Sequence, residues 1–336
     1  MRKIIIDTDP GIDDALAIMV AFQHPDIEIL GITSVAGNKG IENTTNNACK
    51  LSTYYNSDVK IYKGAYSDYL SVKNNLQAKG DLTGSVHGDD GLGSVNLQCN
   101  PKLISDISAT EFILLKVREF PNEVDIIAIG PLTNLALCID QDVETMKKVK
   151  SIFSMGGGVF KGNITPVAEF NYWFDAQAVD MVYDRLGKYV PIHMIGLDLT
   201  HQVVVDQNDL EFMNLEGGER GKLIYEMTKD YVKSYWEFNK IMGIVIHDLT
   251  TIIGYIHPEL FTKVYHANLR CVTDENIAKG QCIIDLLDNW GLEKNVFVPM
   301  AIDHNQYKEK MMGLLFDEKV REQYVKYVLK KEKKHE

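Results

Sequence analysis

Asp7, Asp9, Asp13 and Asp14 fall within eight consecutive positions of the stretch IIIDTDPGIDD. Carboxylates this close repel one another when ionised, so a cation must hold them or some must stay protonated. No Lys or Arg lies between Lys3 and Lys39, so the local sequence offers no compensating side chain. Acidic residues also suit the positive end of a helix, and Asp13 would cap one there. That accounts for one or two of the four. A hard metal cation accounts for the rest.

Other polar residues recur where apolar runs end. Asn38 follows the run 27–35, Gly130 ends the run 124–129, Gly156 to Gly158 follow 149–155, and Asp198 follows 190–195. In NITPVAEFN, the amides and carboxylate of Asn163, Glu169 and Asn171 suit a polyhydroxylated ligand such as a sugar, and a solvated loop is the plain alternative. His247-Asp248 sits between MGIVI and LTTII. An aspartate in apolar surroundings must be paired or metal-bound, whereas a buried histidine is more often a satisfied core residue. Tyr231 and Tyr235 share one helix face, which serves core packing and equally a wall for a flat aromatic ring. His24, His193, His257 and His266 stand alone and take no role, and GGG lacks the spacing of a dinucleotide-binding turn.

The elements that position these residues follow from periodicity. Ile4 to Ile6 predicts a buried strand, Pro10-Gly11 a turn, and Ala15 to Phe22 an apolar helix. Strands follow at 27–35, 59–62, 124–129, 149–155 and 190–195. Helices follow at 42–55, at 109–119 behind a Ser108/Glu111 capping box, from Gly130-Pro131 through Leu137, and at 176–186 behind Asp175. This alternation predicts an α/β fold with a doubly wound, mostly parallel sheet flanked by helices, whose strand ends converge on one edge. Beyond residue 200 the pattern changes to a long helix at 221–241, a helical segment from His247, a small antiparallel extension at 261–272, 280–285 and 294–300, and a closing helix at 314–331. The irregular stretch centred on GSVHGDDGLG reads as a functional loop. With no linker, repeat or low-complexity tract, residues 1–336 are expected to form a single domain.

Composition narrows the function. The chain of 336 residues is 45% hydrophobic, 24% charged and carries a net charge of −12. Such acidity excludes nucleic acid as a partner, because phosphate contacts need clustered Lys and Arg. No apolar run reaches membrane-spanning length, and Asp7 follows the first apolar run too closely for a signal peptide. The five cysteines show no metal spacing and read as isolated buried thiols of a reducing compartment, so a cytoplasmic location is expected.

In order along the chain, DTDPGIDDA, SVAGN, VHGDDGLG, GPLTNLA, MGGG, GN-x5-EFN, GLDLTH and the late HD resemble the inosine-uridine-preferring nucleoside hydrolases. The likeness runs from about residue 3 to 250, with alanine in SVAGN where the family commonly has glycine. It implies a nucleoside hydrolase-like domain, a bound Ca²⁺ and cleavage of the N-glycosidic bond of ribonucleosides. Carried over, Asp9, Asp14, Asp248 and the backbone carbonyl of Ile129 would hold the metal. Asp13, Asn38, Asn163, Glu169, Asn171 and Asp248 would hold the ribose, with Asp9 as general base. His247 would protonate the leaving base, and His87, Tyr231 and Tyr235 would surround it. Asn239, one turn beyond Tyr235, would tune base preference, with broad specificity including inosine and uridine. Asp7 would support the cluster from behind. A homodimer or homotetramer is expected, through an apolar helix in the 250–336 region. Two rival readings are a Mg²⁺-dependent aspartyl phosphatase, whose later Lys and Ser/Thr are not evident, and a non-catalytic nucleoside- or sugar-binding protein.

Overall fold

The computed structural model describes residues 1–78, 88, 90–93 and 95–330. His87 and part of GSVHGDDGLG lie outside the described residues. The chain opens with β1 (Arg2–Thr8), α1 (Ile12–Gln23), β2 (Ile27–Ser34), α2 (Ile41–Tyr54), β3 (Ile61–Lys63) and the short α3 (Tyr69–Lys73). Next come α4 (Ala109–Glu119), β4 (Val124–Ala128), α5 (Thr133–Met146), β5 (Ser151–Met155), α6 (Phe170–Phe174), α7 (Ala176–Leu186) and β6 (Ile192–Ile195). The later half holds α8 (Leu197–Thr200), β7 (Val204–Asp206), α9 (Gln207–Glu216), α10 (Gly218–Asn239), β8 (Gly243–Val245) and α11 (His247–Ile256). It closes with β9 (Phe261–Cys271), β10 (Cys282–Asp285), β11 (Val296–Ile302), α12 (His304–Leu315) and α13 (Glu318–Tyr324).

Nine strands form one sheet in the order β10-β9-β11-β6-β5-β4-β1-β2-β3. The strands from β3 across to β11 run parallel, while β9 pairs antiparallel with β11 and β10 with β9. A separate antiparallel ribbon joins β7 to β8. Ile4 and Ile6 face one apolar layer and Ile5 the other, because side chains alternate along a strand. The isoleucine run is therefore a strand buried on both faces, as a parallel sheet requires. From β1 the chain winds outward through β2 and β3, then returns to the opposite side at β4. This reversal leaves a crevice beyond the carboxyl ends of β1 and β4, where open α/β sheets bind ligands.

Two expectations need correction. The closing helix 314–331 is broken. Its first part belongs to α12, Phe316 leaves helical geometry, and Asp317 caps α13 by accepting from Val320 N at 2.9 Å. The cysteines are not all isolated: Cys49 of α2 is bonded to Cys99, 50 residues later, while Cys138, Cys271 and Cys282 are free and buried. The case for a reducing compartment loses that support.

Thiol titration of the denatured, unreduced protein is expected to find three thiols and not five. Cys49→Ser is expected to cost about 2–4 kcal/mol in urea unfolding, since it frees a long loop in the unfolded chain. Five thiols would refute the pairing.

Candidate active site

β1 delivers Asp7 and Thr8 to the crevice, and the turn through Pro10 leads into α1 with Gly11 as its N-cap. Asp14, not Asp13, serves that helix end: its Oδ2 accepts from Gly11 N at 2.9 Å and its Oδ1 from Thr8 Oγ1 at 2.5 Å. Asp13 is thereby left to face the cavity, which corrects the capping expectation. One carboxylate oxygen from each of Asp13, Asp14 and Asp248 lies within 4.8 Å of the other two, and all three residues are buried. Asp9 is fully buried beside them. Its Oδ2 accepts from Asn38 N at 2.7 Å, and Asn38 Nδ2 lies 3.3 Å from both Asp9 O and Asp14 Oδ2.

Two glycines make room for Asp9. A Cβ at Gly37 would meet Asp9 Oδ2 at 2.1 Å, and one at Gly130 would meet its Oδ1 at 2.6 Å. The glycines of SVAGN and IGP are therefore clearance for a carboxylate. Behind the cluster, Asp7 Oδ1 accepts from Thr33 Oγ1 at 2.5 Å and from Asn134 Nδ2 at 2.7 Å.

Burial, reinforced by mutual repulsion, raises the carboxyls of Asp9, Asp13 and Asp248 well above the ordinary range, Asp13 to about 8. Asp14 moves in the same direction for the same reason, opposed by Thr8 and Gly11. Among the described residues Asp9 Oδ1 is buried with no hydrogen-bond partner. Orphaned oxygen, clustered acids and the adjacent Ile129 backbone form the all-oxygen donor set of a hard divalent cation. The residues present fit such an ion.

The NITPVAEFN segment is a solvated loop only in its first half, where Asn163, Ile164 and Pro166 are exposed. Glu169 and Asn171 are buried, and Glu169 caps α6. Its Oε1 accepts from Asn171 N at 2.8 Å; its Oε2 accepts from Gly157 N at 2.9 Å and Tyr172 N at 3.1 Å. Burial pushes Glu169 up to about 7 against these three donors. Asn163 Oδ1 accepts from Phe170 N at 2.9 Å, and Asn171 Nδ2 lies 3.4 Å from Ile129 O and 3.3 Å from Met155 O. GGG permits the approach: Gly157 adopts φ 69°, and a Cβ at Gly156 would meet the Tyr172 ring at 2.1 Å.

The opposite wall comes from the later half of the chain. Tyr231 and Tyr235 on α10 meet edge to face, with centroids 5.0 Å apart. The β7–β8 ribbon turns the chain back into α11, which begins at His247 with Asp248 in its first turn, at the helix's positive end. His247 Nδ1 lies 2.8 Å from Thr200 Oγ1 and Nε2 lies 2.9 Å from the Tyr235 hydroxyl.

The cavity between these walls measures about 590 Å³, ample for a small-molecule ligand. Asp13, Asn38, Ile129, Asn163, Glu169, Asn171, Tyr231, Tyr235, Asn239, His247 and Asp248 line it. Asp9 and Asp14 lie under its floor and do not line it. His201, Met155, Phe170, Ser234 and Phe238 also line it and escaped the sequence reading. His201 and Phe170 stood inside quoted motifs, GLDLTH and EFN; Ser234 and Phe238 carried no signal beyond their place near the tyrosines. Asp198 does not join the cluster: its carboxylate takes Val159 N at 2.5 Å and Phe160 N.

Fold and site together define a doubly wound α/β enzyme for a small polar ligand. The family pattern described as inosine-uridine preferring nucleoside hydrolase matches residues 4–309. Uridine nucleosidase 1 of Arabidopsis thaliana is 37% identical over 288 residues, 84% of this chain and 82% of that one. The solved structure of a plant nucleoside hydrolase, PpNRh1, superposes with a TM-score of 0.87 at 30% identity, over 94% of this chain and 99% of that one. A purine-preferring ribonucleoside hydrolase from Gardnerella vaginalis gives a TM-score of 0.85 at 27% identity, over 93% and 98%. The chain belongs to the inosine-uridine preferring nucleoside hydrolase family and is a nucleoside hydrolase.

In the folded chain Asp7 titrates near 6, Glu169 near 7 and Asp13 near 8. Unfolded carboxyls titrate near about 4, so the fold keeps protons that the unfolded chain has already lost. This contribution to stability is whole below about pH 4 and is lost as pH rises through those folded values. With a chelator present, the melting temperature is expected to fall from about pH 5 to about pH 8. Added Ca²⁺ is expected to restore more at the higher pH, because protons compete for the same oxygens. A larger calcium gain at the lower pH would overturn this assignment.

Proposed function

We propose that the chain hydrolyses the N-glycosidic bond of ribonucleosides to free base and ribose in a Ca²⁺-dependent reaction, with broad base specificity including inosine and uridine. The observation that carries it is the buried acid cluster on the floor of a cavity with one amide- and carboxylate-rich wall and one aromatic wall. Relatives named for uridine and for purines share this fold, which is compatible with such breadth.

Asp9, Asp14, Asp248 and the Ile129 carbonyl would hold the cation, a reading supported by the orphaned Asp9 oxygen. When bound, the cation supplies Lewis acidity toward the attacking water and an anchor for the ribose diol. Asp9, as general base, takes a proton from that water. Asp13 faces the cavity where Asp9 and Asp14 do not, so it takes a ribose hydroxyl together with Asn38, Asn163, Glu169, Asn171 and Asp248. As the bond to the base breaks, positive charge grows on the sugar, and these oxygens favour it. The departing nitrogen receives its proton from the His247 side of the cavity, between Tyr231 and Tyr235. On the family resemblance, His87 would also surround the base. A homodimer or homotetramer completes the proposal.

A nucleoside panel assayed for released ribose, with and without chelator, tests this reading. Asp9→Ala is expected to lose roughly 10²–10⁴-fold in kcat while still folding. Among the described residues no Lys or Arg lines the cavity, so a 5′-phosphate would meet the carboxylates of Asp13, Glu169 and Asp248 with no such cation to offset them. Inosine is expected to be cleaved far faster than its 5′-monophosphate, and uridine far faster than deoxyuridine, which lacks one hydroxyl of the diol. Equal rates in either pair would count against the ribose assignment, and no release of ribose from any ribonucleoside would end the proposal.

A further inference from the structure

GLDLTH, Gly196 to His201, is a motif that none of the roles above uses. It places α8 directly after β6, and its anchoring is specific. Leu197 N donates to Gly157 O at 2.9 Å, and Thr200 N donates to Gly196 O at 3.1 Å. A Cβ at Gly196 would come 3.0 Å from Gly157 O, so this turn and the GGG turn are packed backbone to backbone. Thr200 is fully buried, and its hydroxyl has no access to solvent.

That hydroxyl lies 2.8 Å from His247 Nδ1, while the Tyr235 hydroxyl lies 2.9 Å from Nε2. The His247 ring is spanned by two hydroxyls on opposite edges. Tyr235 is also 3.2 Å from Val245 O, which can only accept. The phenol has one proton to give. When it goes to Val245 O, Nε2 carries a hydrogen that Tyr235 accepts, and Nδ1 needs a donor. When it goes to Nε2, Nδ1 carries the hydrogen and needs an acceptor. A hydroxyl at position 200 serves both arrangements by rotating; a methyl of the same size serves neither.

We propose that Thr200 is a positioning residue for base departure: it holds the plane of the His247 ring and lets the ring proton sit on either nitrogen. This rests on reading His247 as the source of the leaving-group proton. As the C1′–N bond breaks, its electron pair stays with the base nitrogen; the Tyr235 hydroxyl gives its proton to that nitrogen and takes one from the doubly protonated His247 ring, which is left neutral. Thr200 keeps its own proton count unchanged throughout and touches neither sugar nor base.

The test compares inosine, whose base needs a proton to leave, with p-nitrophenyl riboside, whose leaving group departs unaided as an anion. Thr200→Val is expected to lower kcat on inosine roughly 10–100-fold, a part of the roughly 10²–10⁴-fold that a whole proton-transfer contribution supplies. It is expected to leave the nitrophenyl substrate within about threefold, far below that contribution. Thr200→Ser is expected to restore inosine turnover, and Thr200→Ala carries the same comparison if the valine variant does not fold. An equal fall on both substrates would make Thr200 a merely structural residue and overturn the proposal, as would no fall on either. His247→Ala separates the two readings. If it shows the selective loss and Thr200→Val does not, the Thr200 proposal fails alone; if it shows none, the His247 reading fails and takes the proposal with it.

Discussion

Repulsion among four buried aspartates is the constraint on which the structure turns. Asp9, Asp13, Asp14 and Asp248 occupy one small volume at the reversal point of the sheet. The fold answers with fixed dipoles. Two helices, α1 and α11, begin at the cluster, so Asp13, Asp14 and Asp248 lie in first turns where backbone N–H groups favour negative charge. Thr8, Gly11 and Asn38 spend their hydrogens on Asp9 and Asp14. Gly37 and Gly130 bring backbone to van der Waals distance from Asp9. These donors orient the oxygens; the charge itself remains for a cation to neutralise.

The two walls of the cavity have different origins. The polar wall grows from turns that follow parallel strands, β1, β2, β4 and β5, and inherits their rigidity. The aromatic wall comes from α8, α10 and α11, linked by the β7–β8 ribbon outside the main sheet. The polar wall is thus fixed to the sheet, and the aromatic wall is carried by helices, one of which, α11, also brings Asp248 to the acid cluster. Relatives named for uridine and for purines share one fold on these terms.

Much of this was legible in the sequence because local chemistry is local in the chain. The isoleucine run, the Ser108/Glu111 capping box and Asp175 before α7 each announced an element through residues within a few positions. The acid cluster announced itself through charge density. What was missed depends on direction or on distance. Asp13 and Asp14 are equivalent as letters, but about 100° of helix rotation sends one to the cavity and the other to the helix end. Cys49 and Cys99 meet only because α2 and a distant loop pack together. Glu169 looked like a loop residue because its three backbone donors are supplied by a turn and a short helix that periodicity does not reveal. The break after α12 was readable in principle, since Asp317 is a capping residue ahead of a polar turn.

Asp248 reaches the amino-terminal acids from more than two-thirds of the way along the chain, across the contact between α1 and α11. An ion coordinated there would therefore bind only a polypeptide that has been synthesised and folded through α11. Its affinity would be added once α11 has packed against α1 and withheld from nascent species that end before it. Coordination at this locus would thus couple the joining of the two halves of the chain to the appearance of turnover.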